Sequence, residues 1–203
     1  MTKILVIRSS ANGARSVSNP LVDQFVADVT ARNPGTTVVD RDLDADPIAH
    51  IRSDTLAGIG RPAPETEAAQ PTRALSDTLI AELSTADLLV IGAPMYNFGM
   101  STTLKSWFDH VLRAGATFNY TPQGPEGLMT GKRAVVIVSR AGAYREGAAA
   151  ANDHQVPHIL TLLGFIGITD VSVVCAEGLA FGPEAAAQSI ANAQAELKQL
   201  ASA

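Results

Sequence analysis

Residues 6–25 read VIRSSANGARSVSNPLVDQF, and this stretch shows how the chain is built. Branched apolar residues fill positions 4–7, which is typical of a parallel strand covered on both faces. After Pro20, apolar residues recur at helical spacing on one face, at Leu21, Phe25, Val26 and Val29. The segment between them carries four serines, a glycine and two asparagines, and a simple connection would be much shorter. We therefore predict a strand, a long polar loop and a helix.

The overall composition fits one well-packed domain. The 203 residues are 46% hydrophobic and 17% charged, which allows a large core and predicts a single domain over residues 1–203. The net charge of -5 argues against a nucleic-acid partner, which would need a clustered basic surface. The lone Cys175 excludes an internal disulfide and fits a reducing compartment. The apolar run at 4–7 is too short for a signal peptide or a membrane span, so we predict a cytoplasmic protein without a membrane partner.

Strand and helix patterns alternate along the rest of the chain. Further strands are predicted at 36–39, 88–91, 134–138 and 171–175. Helices are predicted at 75–83, 104–112, 159–165 and 183–201. Residues 45–72 are predicted to form an excursion with a short helix, and residues 115–132 a long loop. This alternation predicts an α/β doubly wound fold, with a five-stranded parallel sheet of order 2-1-3-4-5 and helices on both faces.

In such a fold, ligands bind beyond the carboxyl ends of the strands, at the switch point between strands 1 and 3. The serine-rich loop after strand 1 is suited to an anion there. Ser18 or Asn19 is predicted to cap the helix, with Pro20 in its first turn. The N–H groups at such a helix start bind phosphate, and Ser10, Ser16 and Ser18 add hydroxyl donors. A plain capping loop is the alternative explanation.

Two further loops should meet the first at this edge. After strand 3, Met95, Tyr96 and Phe98 surround Asn97 and offer the apolar and aromatic walls that a flat conjugated ring needs. A hydrophobic plug over the sheet is the alternative. After strand 4, residues 139–142 allow close backbone approach and include Arg140, whose charge could stabilise an anionic ring. An ordinary turn is the alternative for that loop. The three loops together favour a ligand-binding crevice.

Several motifs in the chain resemble those of one enzyme family. They are SS at 9–10, SVSN at 16–19, APMYNF at 93–98, TFNYT at 117–121, GPEGL at 124–128, SRAG at 139–142, LGFIGITD at 163–170 and AEG at 176–178. On these motifs the chain resembles, nearly from end to end, the FMN-dependent NADH-azoreductase and NADH:quinone oxidoreductase family. The resemblance implies a flavodoxin-like fold, a single FMN-binding domain and a homodimer.

The resemblance also implies a cofactor site. It assigns phosphate binding to Ser10, Ser16, Val17 and Ser18. It assigns contacts with the isoalloxazine ring to Met95, Tyr96, Asn97, Phe98, Ser139, Arg140, Ala141 and Gly142. Two departures concern detail: Val17 stands where the family often has Gln, and Ala141 where it often has Gly, and alanine resists a positive φ.

The implied activity is a ping-pong cycle. NADH or NADPH reduces FMN, and reduced FMN passes two electrons to a quinone, or cleaves an azo bond to amines over two turns. Because the flavin carries the chemistry, we predict no catalytic side chain. Phe118 and Tyr120 are candidates to stack on flat acceptors, with simple loop packing as the alternative.

Other functions remain open at this point. A flavodoxin-type electron carrier would bind the same cofactor without its own substrate turnover, and a flavin-free regulatory domain could share the fold. A metal site is not predicted, because His154 and His158 are separated by Pro157 and lack a third ligand.

Overall fold

The computed structural model describes residues 2–202. The strands are β1 (Lys3–Arg8), β2 (Thr37–Asp42), β3 (Leu88–Pro94), β4 (Phe118–Thr121), β5 (Gly124–Gly127), β6 (Arg133–Ser139) and β7 (Asp170–Ala176). The α-helices are α1 (Ser18–Arg32), α2 (Gln70–Thr85), α3 (Thr102–Val111), α4 (Val156–Phe165) and α5 (Pro183–Leu200). None of the helices in this described part of the chain combines the length and apolar character needed to cross a membrane.

Five strands form a parallel sheet in the order β2-β1-β3-β6-β7. The predicted five-stranded parallel sheet is therefore confirmed. The strand numbers differ from the predicted 2-1-3-4-5 because β4 and β5 lie between the third and fourth sheet strands in the chain. Those two strands pair only with each other, as an antiparallel hairpin. The prediction of a long loop over residues 115–132 is therefore wrong for this segment.

Side chains alternate between two apolar layers, one on each face of the sheet. On one face, Leu5 and Ile7 of β1 pack in a cluster with buried residues of α2, α3 and α4. On the other face, Ile4 and Val6 pack with residues of α1 and α5. Every residue of the central strand β3 is buried, as expected for a parallel strand covered on both sides. The layers hold the carboxyl ends of β1, β3 and β6 together at one edge.

Two further expectations change in detail. The excursion at 45–72 contains 3-10 turns at Leu56–Ile59 and Glu67–Ala69 rather than a short α-helix, and α2 then begins at Gln70. The predicted strand at 36–39 is the edge strand β2, whose residues Thr37 to Asp40 are exposed. Its weak apolar pattern follows from this position, since an edge strand is less covered.

Candidate functional site

The loop between β1 and α1 leaves backbone donors open. Val17 is the N-cap residue of α1 and makes no side-chain cap. Within residues 2–202, the N–H groups of Val17 and Ser18 donate to no protein acceptor. Such groups at a helix start cannot bond inside the helix, so they are free for an anion.

Serine hydroxyls surround these open donors. Ser16 Oγ accepts a hydrogen bond from Asn19 N at 3.1 Å and lies 3.3 Å from Ser18 Oγ. The cap predicted at Ser18 or Asn19 is therefore wrong, because α1 starts at Ser18 and the hydroxyl that serves its first turn belongs to Ser16. Ser10 is also buried, and its Oγ lies 3.4 Å from Asn12 N, which donates to it. Pro20 lies in the first turn, as predicted.

A cation beside this loop is already paired. Arg8, the last residue of β1, donates to both carboxylate oxygens of Asp40 at 2.8 to 3.0 Å, and its Nη2 lies 2.7 Å from Asp23 Oδ1. The hydrogen bonds from Arg8 to Asp40, with a contribution from Asp23, raise the pKa of the Arg8 guanidinium. Its charge is therefore balanced, and an anion at the start of α1 depends on N–H and hydroxyl donors.

The loop after β3 makes a tight reversal. Tyr96 and Gly99 exchange backbone hydrogen bonds of 2.9 and 3.0 Å, and the two residues between them both have positive φ, 47° for Asn97 and 70° for Phe98. This is the pattern of a type I′ turn, which favours Asn and Gly. Phe98 in this conformation costs about 1–2 kcal/mol, and the residue stays 47% exposed. The Tyr96 hydroxyl accepts from Ala11 N at 2.9 Å, which joins this loop to the serine-rich loop.

The loop after β6 pairs with the loop after β7. Leu179 N donates to Arg140 O, Ala180 N donates to Ala141 O, and Gly178 N donates to Gly142 O, at 2.9 to 3.2 Å. Among the described residues, positive φ outside glycine occurs at Asn97 and Phe98, so Ala141 is not strained. The departure from glycine at this position therefore fits the local backbone. The N–H groups of Ala141 and Gly142 donate to no acceptor in the described chain.

The Arg140 side chain points into the protein. Its guanidinium is 0% exposed and donates to Asp153 Oδ2 at 2.8 Å and to Gln155 Oε1 at 3.2 Å. Glu177 Oε2 lies 3.7 Å from Nη1. These carboxylates balance the charge internally, so we assign the guanidinium to holding loops. The idea that its charge acts directly on a bound ring loses its support, although the residue lines the crevice.

A cavity of about 310 Å³ lies where the three loops meet. Its lining includes the predicted residues Val17, Met95, Tyr96, Ser139, Arg140 and Ala141. It also includes residues that the sequence analysis did not single out: Asn12, Pro94, Leu179 and Ala180. An adjoining cavity of about 200 Å³ is lined by Met95, Asn97, Phe98, Ala141 and Tyr144. The convergence of loops at the carboxyl edge could have indicated the β7 loop, since β7 ends at the same edge.

Comparison with known proteins shows which family the chain resembles. A family model described as the flavodoxin-like fold matches residues 2–201. The chain is 51% identical over 201 residues to an FMN-dependent NADH:quinone oxidoreductase of Hyphomonas neptunium, covering 99% of this chain and 96% of that protein. A protein of the same description from Escherichia coli (strain K12) is 49% identical over 205 residues, covering 100% of both chains.

This chain belongs to the FMN-dependent NADH:quinone oxidoreductase family, with the flavodoxin-like fold. The resemblance stated from the motifs is thereby confirmed. The crystal structure of an azoreductase from Bacillus anthracis str. Sterne superposes with a TM-score of 0.91 at 31% identity, covering 99% of each chain. The likeness therefore extends over 99% of the chain.

The two aromatic residues predicted to face an acceptor lie elsewhere. Phe118 is buried against Phe165, with ring centroids 4.6 Å apart, while Tyr120 is 74% exposed on the hairpin. Phe165 ends α4, just before β7 begins, so the hairpin packs at the amino edge of the sheet. Neither aromatic residue lines the two crevice cavities. The structure thus brings the predicted cofactor loops together. Within one chain, it does not bring Phe118 or Tyr120 to the crevice.

Proposed function

We propose that this chain is an FMN-dependent NAD(P)H oxidoreductase that reduces quinones to hydroquinones and cleaves azo bonds to amines. We further propose that residues 1–203 act as a single FMN-binding domain. The observation that carries the proposal is the set of open donors at Val17 and Ser18 beside the cavity that Met95, Tyr96 and Ala141 line. A helix start for a phosphate next to walls for a flat ring is what a flavin mononucleotide requires.

The residues fit each part of FMN. The phosphate would lie at the start of α1, held by the Val17 and Ser18 N–H groups and by the hydroxyls of Ser10, Ser16 and Ser18. The isoalloxazine would lie against Met95, Tyr96, Asn97 and Phe98 on one side of the crevice and Ser139, Arg140, Ala141 and Gly142 on the other. Val17 contributes its backbone, so the family's frequent Gln is not needed at this position.

When bound, FMN supplies the redox chemistry, taking a hydride from NADH or NADPH and passing two electrons to the acceptor. The protein contributes binding and electrostatics. Within residues 2–202, the N–H groups of Asn97, Phe98, Ala141 and Gly142 donate to no acceptor. Fixed donors of this kind stabilise negative charge that develops on a ring, as in an oxyanion hole. No side chain has to form a covalent bond or abstract a proton.

The adjoining cavity is suited to the acceptor. Its walls include Phe98 and Tyr144, whose rings meet edge to face with centroids 6.0 Å apart. Flat, electron-poor quinones and azo compounds pack well against aromatic walls. The same space serves nucleotide and acceptor in turn, which is consistent with a ping-pong order.

We also propose that the protein acts as a homodimer. Since Tyr120 lies away from the crevice of its own chain, a role in acceptor binding would require a second copy. Replacing Tyr120 by Ala should then raise the acceptor KM while FMN occupancy stays unchanged, and steady-state kinetics with flavin absorbance would measure both. Unchanged kinetics would restrict Tyr120 to the hairpin surface.

Stopped-flow spectroscopy tests the proposed function. Purified protein reconstituted with FMN should be yellow, should bleach on mixing with NADH or NADPH, and should regain colour with a quinone or an azo dye. Bleaching without repeated turnover would indicate an electron carrier instead. Protein that stays colourless after incubation with FMN would contradict the proposal. Running both nucleotides with a panel of acceptors also ranks the substrates.

A further inference from the structure

The buried side chain of Gln155 connects two loops of the crevice. Gln155 is the N-cap residue of α4 and is 0% exposed. Its Oε1 accepts from Arg140 Nε at 3.2 Å, and its Nε2 donates to the carbonyl oxygen of Ala93 at 2.8 Å. Ala93 lies two residues before Met95, and Arg140 directly follows Ser139. One amide therefore joins the carboxyl end of β3 to the carboxyl end of β6.

The Arg140 end of this connection is itself held in place. Asp153 accepts from Arg140 Nη2 through Oδ2 and from Gln155 N through Oδ1, at 2.8 and 3.0 Å. Glu177, which lies 3.7 Å from Arg140 Nη1, accepts from Tyr144 N at 2.8 Å. The guanidinium thus cannot shift without disturbing the loops after β6 and β7. Buried charges with several partners hold one arrangement firmly, because leaving any partner unpaired is costly.

The chemistry of the amide explains why glutamine suits this position. A primary amide offers an acceptor and a donor side by side, so it can face a guanidinium at one end and a carbonyl at the other. Glutamate would keep the acceptor for Arg140 but would set a carboxylate oxygen against the Ala93 carbonyl. Methionine has a similar length but supplies neither the donor nor a comparable acceptor.

We propose that Gln155 is a positioning residue of the FMN-binding crevice. The β3–β6 ladder and the bond from Met95 N to Ser139 O already fix where loops 95–98 and 139–142 begin. Through Arg140 and Ala93, Gln155 then holds these loops against α4, and with them the placement of their open N–H groups. The proposal rests on the proposed function above. These donors interact more strongly with the negatively charged reduced ring than with the neutral oxidised one. Loss of the connection should therefore weaken the binding of reduced FMN more than that of oxidised FMN.

The test compares FMN affinity and midpoint potential in wild type and Gln155→Met. We expect the Kd for oxidised FMN to rise about tenfold, since two buried hydrogen bonds are lost. If reduced FMN loses a further tenfold, the two-electron potential falls by about 30 mV. Fluorescence quenching titration gives the Kd, and equilibration with a redox dye gives the potential. Neither readout needs catalytic turnover.

Controls separate positioning from general destabilisation. Ile80→Val removes one methyl group from the core on α2, remote from the crevice, and should leave both FMN readouts unchanged. Should Gln155→Met not fold, Gln155→Glu decides, because it retains the acceptor for Arg140 and replaces the donor to Ala93 by a carboxylate oxygen. A folded Gln155 variant with wild-type Kd and wild-type potential would overturn the inference. Wild-type protein that binds no FMN would instead overturn the proposed function.

Discussion

The carboxyl edge and the amino edge of the sheet differ in how their backbone groups are used. At the carboxyl edge, the N–H groups of Val17, Ser18 and Ala141 have no acceptor within residues 2–202. At the amino edge, the hairpin is closed against the chain that leads into β7: Met129 N donates to Ile166 O at 2.7 Å. A Cβ on Gly127 would collide with the backbone of Ile166 and Gly167. One edge keeps donors available for a ligand, and the other uses close packing to hold the fold.

The largest effect is expected at the amino edge, which we call the closed edge because the hairpin packs tightly there. Gly127→Ala places a methyl group on the backbone of Gly167, which flexible side chains cannot relieve, so the free energy of unfolding should fall by about 3 kcal/mol. Urea unfolding measures the loss. Gly164→Ala is the matched control, because a Cβ on Gly164 would meet no atom of residues 2–202 within 4 Å, apart from its chain neighbours and the backbone of α4. That change should be neutral or stabilising, since alanine is the better helix former.

Gly127→Ala should not alter the binding of FMN. FMN affinity measured on the folded protein should match wild type, because the crevice lies at the other edge. A large loss of FMN affinity in a folded Gly127→Ala variant would show that the two edges are coupled, and our division of the molecule would then be wrong.

The next largest effect is expected at the carboxyl edge, which we call the open edge because its N–H groups are available to a ligand. Ser18 is 0% exposed, and its hydroxyl lies 3.3 Å from that of Ser16. A hydrogen bond to a phosphate is worth about 1.5–3 kcal/mol. Ser18→Ala should therefore raise the FMN Kd roughly 10- to 100-fold. Titrations with riboflavin, which lacks the phosphate, supply the control and should give the same Kd in both proteins. An equal loss for both ligands would show that Ser18 supports the loop and does not contact the phosphate.

The sequence predicted the open edge better than the closed one, and the range of the interactions explains why. The strand, loop and helix at 4–29 rest on local periodicity, and the rule for parallel sheets then brings the three loops together. The β4–β5 hairpin could not be predicted in this way, because it is stabilised by residues 165–167, far along the chain. The burial of Arg140 was missed for the same reason, since its partners Asp153 and Glu177 lie in other segments.

A third prediction separates stability from function within the open edge. Phe98 has a φ of 70°, which glycine adopts freely, and Asn-Gly is the favoured pair for a type I′ turn. Phe98→Gly relieves this strain of about 1–2 kcal/mol but adds the conformational entropy cost of glycine, so the free energy of unfolding should rise by up to about 1 kcal/mol. It should also raise the acceptor KM, because the aromatic wall of the smaller cavity is lost. Lower stability in this variant would mean that the contact of Phe98 with Tyr144 outweighs the backbone strain.

The smallest effect concerns Cys175, which tests how far the open character of the carboxyl edge extends. Cys175 lies near the end of β7, beside a separate cavity of about 330 Å³. Burial raises the pKa of its thiol, and the nearby Arg140 charge only partly offsets this. The thiolate is the reactive form. Iodoacetamide at pH 8 should therefore modify Cys175 more slowly than free cysteine, with the rate increasing only above the ordinary cysteine range.

The same shift has a consequence for stability. A thiol whose pKa is raised by folding favours the folded state below the unfolded pKa, and this contribution is lost as pH rises towards the folded value. Cys175→Ser should remove that alkaline loss and leave the FMN Kd unchanged, and urea unfolding as a function of pH measures it. Alkylation as fast as that of free cysteine would show that the outer side of β7 is accessible. Accessible groups at the carboxyl edge would then extend beyond the crevice to β7. The two edges would differ chiefly by the close packing at Gly127.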